Sequence, residues 1–460
     1  MELRSYQKEA VQKASEYLSD SKRKKPELIV LPTAAGKSIV IAEIARLVKG
    51  KVLVLQPSQE LLSQNLSKYL YYGNKASVYC AGLKRKELDE QVIFATLDSV
   101  KVETSLQVDV LLIDEAHYKF SPDPGSSFMS YVEVIKPKKV IGLTATPFRL
   151  DSTMDGSMLK LLTRRRPNYF KDFIHITQIQ EIIQNGFWSK IDYEVHEFDT
   201  SLLRLNTSGS EFTEESVKKA LEAQSVNRRM YYRIKKELED GCQSILVFCD
   251  RVGVAKEMSI RIPGSSFLTA ETNKKDREQT ITAFKNGSLK VLFNVGILTT
   301  GFDFPDLRCV IMGRPTNSLA LYYQIIGRGT RISPQTGKVS FKFIDFGGNV
   351  ERFGPIEHLT LEYVEGFGWA FCNGEIVLTN VLMGAARVSK SSFVKKSSPG
   401  DTKLWFGKHK GKEPHELPLS YIHWVLYESP FTWTHPKFAQ LKANLIAVLE
   451  EDKRLANLKN

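Results

Sequence analysis

The chain has 460 residues, 42% hydrophobic and 25% charged, with a net charge of +12, ordinary values for a globular protein of two or three domains. No apolar run approaches membrane-span length, the opening MELRSYQKEA has no signal core, and the five scattered cysteines include no C-x-x-C pair. A membrane partner, export, a zinc site and a disulfide framework are therefore not expected; a cytoplasmic location is, and the basic excess favours a polyanionic partner.

From residue 27 onward short apolar runs alternate with helical stretches. ELIVL (27–31) predicts a strand that ends in the loop LPTAAGKS (31–38), and SIVIAEIARLVKG then predicts a helix stopping at Gly50. Further strands are expected at KVLVLQP (51–57), QVIFAT (91–96), DVLLIDEAH (109–117) and KKVIGLTATP (138–147). Continuous apolar strands separated by helices imply a parallel sheet covered on both faces, with ligands at the strands' carboxyl ends. The first domain is read as 1–150, and 151–230, more polar and less regular, as a bridge. The rhythm restarts over 231–385 with SILVFCD (244–250), SSFLTA (265–270), KVLFNV (290–295), LRCVIMG (307–313) and VSFKFIDFG (339–347); KKDREQTITAFKNG (274–287) predicts a helix between two of them. ARVSKSSFVKKSSPGDT (386–402) reads as a linker before a small C-terminal accessory module, 403–460. The fold class is α/β: two tandem parallel-sheet domains plus that module.

Three elements carry chemistry. The phosphate-loop pattern is G-x-x-x-x-G-K-[ST]; here Leu31 and Ala34-Ala35 depart from its common forms, and Gly36-Lys37-Ser38 keep to it. A strand before and a helix after give the required context. Gly36 lets the backbone approach, Lys37 reaches the β/γ-phosphates and Ser38 suits a magnesium ion. Asp114-Glu115 ends an apolar strand; the first carboxylate suits the metal, directly or through water, and the second a base for the attacking water. In QIIGRGTR (324–331), Arg328 and Arg331 stand one helical turn apart, a pair suited to charge on a phosphoryl group in transfer.

With these motifs in place the chain resembles a superfamily 2 helicase of the DEAH type, over residues 3 to about 350. LRSYQKEA (3–10) resembles the adenine-reading opening, with Arg4 and Gln7 as contacts. PTAAGKS, from Pro32 and Thr33 through Ala34, Ala35 and Gly36, is motif I, and LQPSQELL (55–62) resembles motif Ia. ATLDSV (95–100) resembles the next strand-contacting motif, and DEAH (114–117) is motif II. Thr144-Ala145-Thr146 is motif III, LVFCDRV (246–252) motif IV, NVGILTTGFDFP (294–305) motif V and QIIGRGTR motif VI. The resemblance implies two RecA-like domains with ATP and Mg2+ between them. Lys37, Ser38, Asp114 and Glu115 would come from one side, and Gln324, Arg328, Arg331, Gly301 and Asp303 from the other. His117, Thr144 and Thr146 would couple nucleotide state to domain motion.

The resemblance also implies a nucleic-acid track on the opposite face, contacted by Pro57, Ser58, Gln59, Thr96, Arg251 and Thr299. Two basic clusters could extend it. SKRKK (21–25) reads as a solvated turn. TRRRPNYFKDF (163–173) interleaves Arg164, Arg165 and Arg166 with Tyr169 and Phe170, as single-stranded DNA sites do. The opening and motif V look most like DNA-acting members, among them phage recombination and branch-migration helicases. Single-stranded and branched DNA is thus the expected partner, in a host cell's cytoplasm if the gene is phage-borne. An RNA helicase, a duplex translocase that never separates strands, and an ATP-gated binding module remain alternatives. In the tail, KLWFGKHKGKEPHELPLSYIHWVL (403–426) resembles a small F-G-K-x-K-G-K domain of unknown function. Trp405, Phe406, Tyr421, Trp424, Phe431 and Trp433 are expected to form its core. Lys408, Lys410 and Lys412 are expected on one face, open to a DNA contact, and the module to replication or recombination proteins.

Overall fold

A computed structural model describes residues 2–153, 156–298, 302–381, 389–390, 404, 407–429 and 439–457. The chain divides into two units, residues 1–390 and 391–460. In the larger unit, α1 (Ser5–Ser19) leads into β1 (Glu27–Val30), α2 (Lys37–Leu47), β2 (Val52–Gln56), α3 (Gln59–Tyr71), β3 (Ser77–Cys80), β4 (Arg85–Lys86), β5 (Val92–Thr96), α4 (Leu97–Val100), β6 (Val110–Asp114), α5 (Ser127–Ile135) and β7 (Lys139–Thr144). An antiparallel pair, β8 (Phe148–Thr153) and β9 (Gly156–Leu161), precedes β10 (Asp172–Ile176). The strands of the first sheet run β10-β1-β7-β6-β2-β5-β3-β4, parallel except for β4. Every residue of β1, β2, β6 and β7 is buried, because helices cover both faces and leave no solvent side for alternating polar residues. Lys139 fastens α1 to this sheet: its ammonium donates to the carbonyls of Tyr17 (2.8 Å), Asp20 (2.6 Å) and Arg23. Those are the orphan acceptors at and beyond the helix C-terminus, so α1 is held with its first turn against the phosphate loop.

The second sheet follows α6 (Ile179–Gln184). Its elements are β11 (Lys190–Val195), α7 (Glu214–Ala223), α8 (Val226–Glu239), β12 (Ile245–Phe248), α9 (Val252–Arg261), β13 (Ser265–Leu268), α10 (Lys274–Lys285), β14 (Val291–Asn294), β15 (Cys309–Met312), α11 (Leu319–Ile326) and β16 (Ser340–Asp345). The order is β11-β16-β15-β12-β14-β13, all parallel. After α12 (Asn349–Phe353), a small antiparallel sheet of β17 (Leu359–Val364), β18 (Gly368–Asn373) and β19 (Ile376–Val377) closes the unit.

Two expectations change. The stretch 151–230 is not a separate bridge: β10 pairs with β1 and β11 with β16, so it supplies an edge strand to each sheet. Edge strands are only partly covered, so KIDYEV alternates polar and apolar residues, and DFIHI takes an exposed aspartate and a histidine, instead of forming a continuous apolar run. The antiparallel sheet inside 231–385 was not anticipated either.

In the smaller unit, α13 (Leu419–His423) continues into a turn of π-helix, Trp424–Glu428, and α14 (Ala439–Asn457) follows. Its core is Leu404, Leu417, Ile422, Val425, Leu426, Leu441 and Leu445. Of the aromatic residues expected in this core, Tyr421 packs partly buried against it, whereas Trp424 is 42% exposed, because at its position the helix turns Val425 and Leu426 inward instead. Trp405, Phe406, Phe431 and Trp433 lie outside the described residues, as does the expected linker apart from residues 389–390. Ser389 forms a bridge with Ile376.

The edge strand β10 supplies a stability test. His175 is buried; its Nε2 lies 2.8 Å from Thr177 Oγ1, and its Nδ1 is 3.8 Å from Glu9 on α1. Burial pulls its pKa down to about 4, against the opposing charge of Glu9 and with a small push from Lys13. An unfolded imidazole titrates near 6.5. Between these values the unfolded chain binds the extra proton, so stability rises with pH across the window and is lost as pH falls through it. His175→Gln should flatten this limb, removing roughly 1–3 kcal/mol of the wild-type loss between pH 6.5 and 4.5, measured by urea unfolding at each pH.

Candidate active site

Because β1, β7 and β6 are neighbours, their carboxyl ends bring the phosphate loop, Thr144–Thr146 and Asp114-Glu115 to one place. The loop enters α2 through two left-handed residues, Ala34 (φ +58°) and Gly36 (φ +80°). The Ala35 carbonyl between them is turned toward α1, where it accepts from Tyr6 Oη (3.0 Å) and Gln7 Nε2 (2.9 Å). A Cβ on Gly36 would stand 2.5 Å from that same Gln7 nitrogen, so glycine is needed there on two counts. Lys37 and Ser38 open the helix, whose first N–H groups have no intrahelical acceptors. Gln7 also accepts from the Arg4 N–H (3.0 Å), and the Arg4 guanidinium lies 4.0 Å above the Phe187 ring. Both expected adenine contacts thus sit beside the loop, with Gln7 already committed to the backbone.

Lys37 Nζ meets Glu115 Oε1 at 2.5 Å, with both side chains about 85% or more buried. Asp114 accepts from Asn65 Nδ2 (2.7 Å) and from the Glu115 N–H (2.9 Å). Burial, then the charge of Glu115, pushes Asp114 up to about 6. Burial also works to raise Glu115, but Lys37, His117 and Arg328 outweigh it and hold that carboxyl below its usual range. Glu115 is therefore the ionised partner. His117 is pulled down to about 4 by burial and is neutral at ordinary pH. Its Nδ1 lies 2.8 Å from Thr144 Oγ1, which also accepts from the Thr146 N–H (3.0 Å).

From the second sheet, Gln324 Nε2 reaches His117 Nε2 at 3.1 Å. A donating amide there places the imidazole proton on Nδ1, facing Thr144. Arg328 donates to the Gln324 carbonyl (3.1 Å) and to the Phe302 carbonyl (2.9 Å), and Arg331 is ion-paired with Asp303. Burial lowers both guanidinium groups to about 10, so both stay charged. The two arginines do not share a helix face as expected: α11 ends at Ile326. A Cβ on Gly329 would fall 2.2 Å from the Phe341 ring, and Arg331 instead forms an antiparallel bridge with Trp188. Gly301 and Thr299 lie outside the described residues.

Residues that carried no motif signal fix this arrangement. Thr33 is gripped from the other side of the cleft: its N–H reaches Tyr323 Oη (3.3 Å) and its carbonyl accepts from Trp188 Nε1 (3.0 Å). Next to Trp188, Ser189 donates through Oγ to the Arg331 carbonyl (2.8 Å) and through N–H to the Thr330 carbonyl (2.7 Å). The fully buried Lys338 donates to the carbonyls of Gly329 (2.6 Å), Arg331 (2.7 Å) and Pro305 (3.0 Å). Trp188 follows Phe187 in a stretch that carries no motif. Asn65 and Lys338 sit in sequence that reads as ordinary helix and loop.

The expected track residues divide. Pro57, Ser58, Gln59 and Thr96 gather at the paired ends of β2 and β5. Ser58 caps α3, and Thr96 Oγ1 bonds Ser99 (2.8 Å). The Gln59 amide sits 3.2 Å from both Gly82 O and Lys274 Nζ. A cavity of about 490 Å³ runs from Glu115 and His117 to Pro57 and Ser58, with Asp303 and Gln324 on its walls. Arg251, at the end of β12, is ion-paired with Asp250 (2.7 Å) and Glu222 (2.9 Å). The triple arginine does not form the expected stacking cluster. Arg164 bonds the Phe367 carbonyl, Arg165 pairs with Asp151 (2.9 Å), and Phe170 is in the core. Among the described residues only Arg166 of the three is without such a bond, and it is exposed. A hairpin turn in need of a donor and an acid in need of a cation claim the other two.

Two parallel sheets, a phosphate loop with its carboxylate pair on one and arginines on the other, define a tandem RecA-like core of the superfamily 2 helicase fold. Residues 1–149 match the family described as "Type III restriction enzyme, res subunit", and residues 230–333 the "Helicase conserved C-terminal domain". A Saccharomyces cerevisiae protein named as a candidate ATP-dependent helicase, IRC3, is 24% identical over 377 residues, covering 75% of this chain and 51% of its own length. The chain thus spans about half of that relative. The "DNA 3'-5' translocase XPB2" of Sulfurisphaera tokodaii is 25% identical over 376 residues, 71% of this chain and 78% of that protein. Among solved structures, the ATP-dependent Type ISP restriction-modification enzyme LlaBIII bound to DNA shares the fold. Its TM-score is 0.55 at 17% identity, covering 75% of this chain and 27% of that one.

Two tests follow from the loop geometry. Ala34→Gly should leave the unfolding free energy unchanged or raise it by up to about 1 kcal/mol, since it relieves a left-handed alanine. Trp188→Phe keeps the ring but orphans the Thr33 carbonyl, and should cost about 1–3 kcal/mol in urea unfolding.

Proposed function

We propose that the chain is an ATP-hydrolysing motor that moves on DNA. The observation that carries this is the Lys37–Glu115 pair within reach of the Arg328 charge, with His117 and Gln324 hydrogen-bonded between the two sheets. Lys37 and the α2 N-terminus hold the phosphates of ATP, and phosphate oxygens compete with Glu115 for Lys37. Glu115, released but held ionised, takes the proton of the attacking water. Arg328 and Arg331 offset charge on the departing phosphoryl group. The donors available to magnesium are hard oxygens, Ser38 Oγ and the buried Asp114 carboxyl that burial and Glu115 have pushed up. Such a small set fits an ion that binds through one or two protein groups and the substrate phosphates. Bound there, magnesium would neutralise phosphate charge.

His117 sits between Thr144 and Gln324, so a change at Glu115 is felt by both sheets. The cavity from Glu115 to Pro57 and Ser58 joins the hydrolytic residues to the strand ends expected to meet DNA. Contacts there are to the backbone and carry little sequence preference. The DEAH sequence of motif II, and an opening and motif V like those of repair, restriction and phage recombination enzymes, support branched DNA as substrate. Movement along duplex without strand separation is the competing reading, favoured by the relative named as a translocase.

Turnover of ATP measured with no nucleic acid, single-stranded DNA, duplex, a four-way junction and matched RNA separates these readings. Strongest stimulation by the junction is expected; stimulation by RNA alone would overturn the choice of DNA. A strand-displacement assay decides between unwinding and translocation. Glu115→Gln should slow DNA-stimulated turnover by about 10² or more, and Arg331→Ala by about 10³–10⁵. Unchanged turnover in Glu115→Gln would remove the assignment of the base.

A further inference from the structure

The smaller unit carries a loop of exposed lysines and, on the helix that follows, a set of partly exposed rings. Leu404 closes the loop: its N–H donates to the Lys412 carbonyl (2.7 Å), and its own carbonyl accepts from Gly411 (2.6 Å). Lys408, Lys410 and Lys412 on this turn are all exposed. His409, between them, packs edge-on against Tyr421 with ring centres 4.5 Å apart, and Tyr421 lies 5.6 Å from Trp424. Three residues on, Tyr427 packs against His423 at 5.0 Å. Ile422, Val425 and Leu426 point into the core, which turns Trp424 and Tyr427 the other way, 42% and 65% exposed.

The charges on this face are unevenly committed. Glu428 bonds His423 at 3.1 Å, and Glu413 and Glu416 cap one another's backbone. The three lysines have no carboxylate partner among the described residues. Large rings left in water beside unpaired cations mark a binding surface rather than packing. Lysines track phosphates and flat rings stack on bases, a combination that suits a single strand. A duplex keeps its base faces stacked inside and would leave the rings unused.

We propose that the 407–429 face binds single-stranded DNA, with bases on Trp424 and Tyr427 and phosphates on Lys408, Lys410 and Lys412. This goes beyond the motor reading in adding a second, ATP-independent site, and it rests on that reading for the choice of DNA. The module then keeps hold of one strand while the motor cycles.

The test uses the full chain and a labelled oligo-dT without ATP. Trp424→Ala with Tyr427→Ala should weaken binding about tenfold or more while leaving duplex binding, the salt slope and DNA-free ATP turnover intact. Lys408→Gln, Lys410→Gln and Lys412→Gln together should lower the slope of log K against log salt by about 2. Trp emission should change on adding oligo-dT, and that change should be absent in Trp424→Ala. Wild-type affinity in the ring variant, or equal loss of single-strand and duplex binding, would overturn the site. Preference for oligo-rU would overturn the choice of DNA. If no DNA stimulates wild-type turnover, the motor reading falls instead, and the oligo-dT result still decides the module.

Discussion

The backbone of Thr33 is held from across the cleft at both of its polar atoms, by Tyr323 at the N–H and by Trp188 at the carbonyl. Much of the site depends on this grip. Tyr323 belongs to α11, which also carries Gln324 to His117, and Trp188 pairs through its backbone with Arg331. The phosphate loop therefore touches, within a residue or two, both the helix that reaches His117 and the extended stretch that carries Arg331. A Cβ on Gly327 would stand 2.4 Å from Thr33 Oγ1, so the approach is close enough to require glycine on the facing chain. Buried peptide groups are costly to leave unpaired, and relative movement of the two sheets must exchange these bonds for others.

Charge is arranged around the same point. A lysine, two acids, a histidine and Arg328 lie largely out of water around it. Glu115 stays ionised because Lys37 and Arg328 face it, and His117 stays neutral because it is out of water. Asp114, next to a like charge and with only Asn65 and one N–H as hydrogen-bond donors, is the group with positive charge still to gain. Removing a partner from such a cluster strands a buried charge, which costs far more than the pair contributes.

The residues of the candidate site were legible because phosphate-binding chemistry calls for particular side chains at strand ends. ELIVL before Gly36-Lys37-Ser38 and LLI before Asp114-Glu115 are local patterns, and local patterns survive in a single sequence. The central strands were legible for a related reason: burial on both faces leaves only apolar residues. The edge strands β10 and β11 have a solvent side and were read as a bridge. Trp188, Asn65 and Lys338 act across long sequence separations, and their neighbours in sequence give no hint of their partners. The arginines at 164 and 165 show the converse. Their composition suited nucleic acid, but a carbonyl at 367 and an acid at 151, invisible in the local pattern, had already engaged them.

Trp188 and Ser189 are consecutive, and in extended chain consecutive side chains point to opposite sides. One reaches the phosphate loop and the other the backbone of Arg331, and Lys190 then enters the second sheet through the Val339 carbonyl. This stretch works as a gauge between the two parallel sheets, set by length rather than by composition. Conservative replacement at either position loses one bond. A single inserted or deleted residue between Phe187 and Lys190 reverses the sidedness of the pair and puts both halves out of register at once.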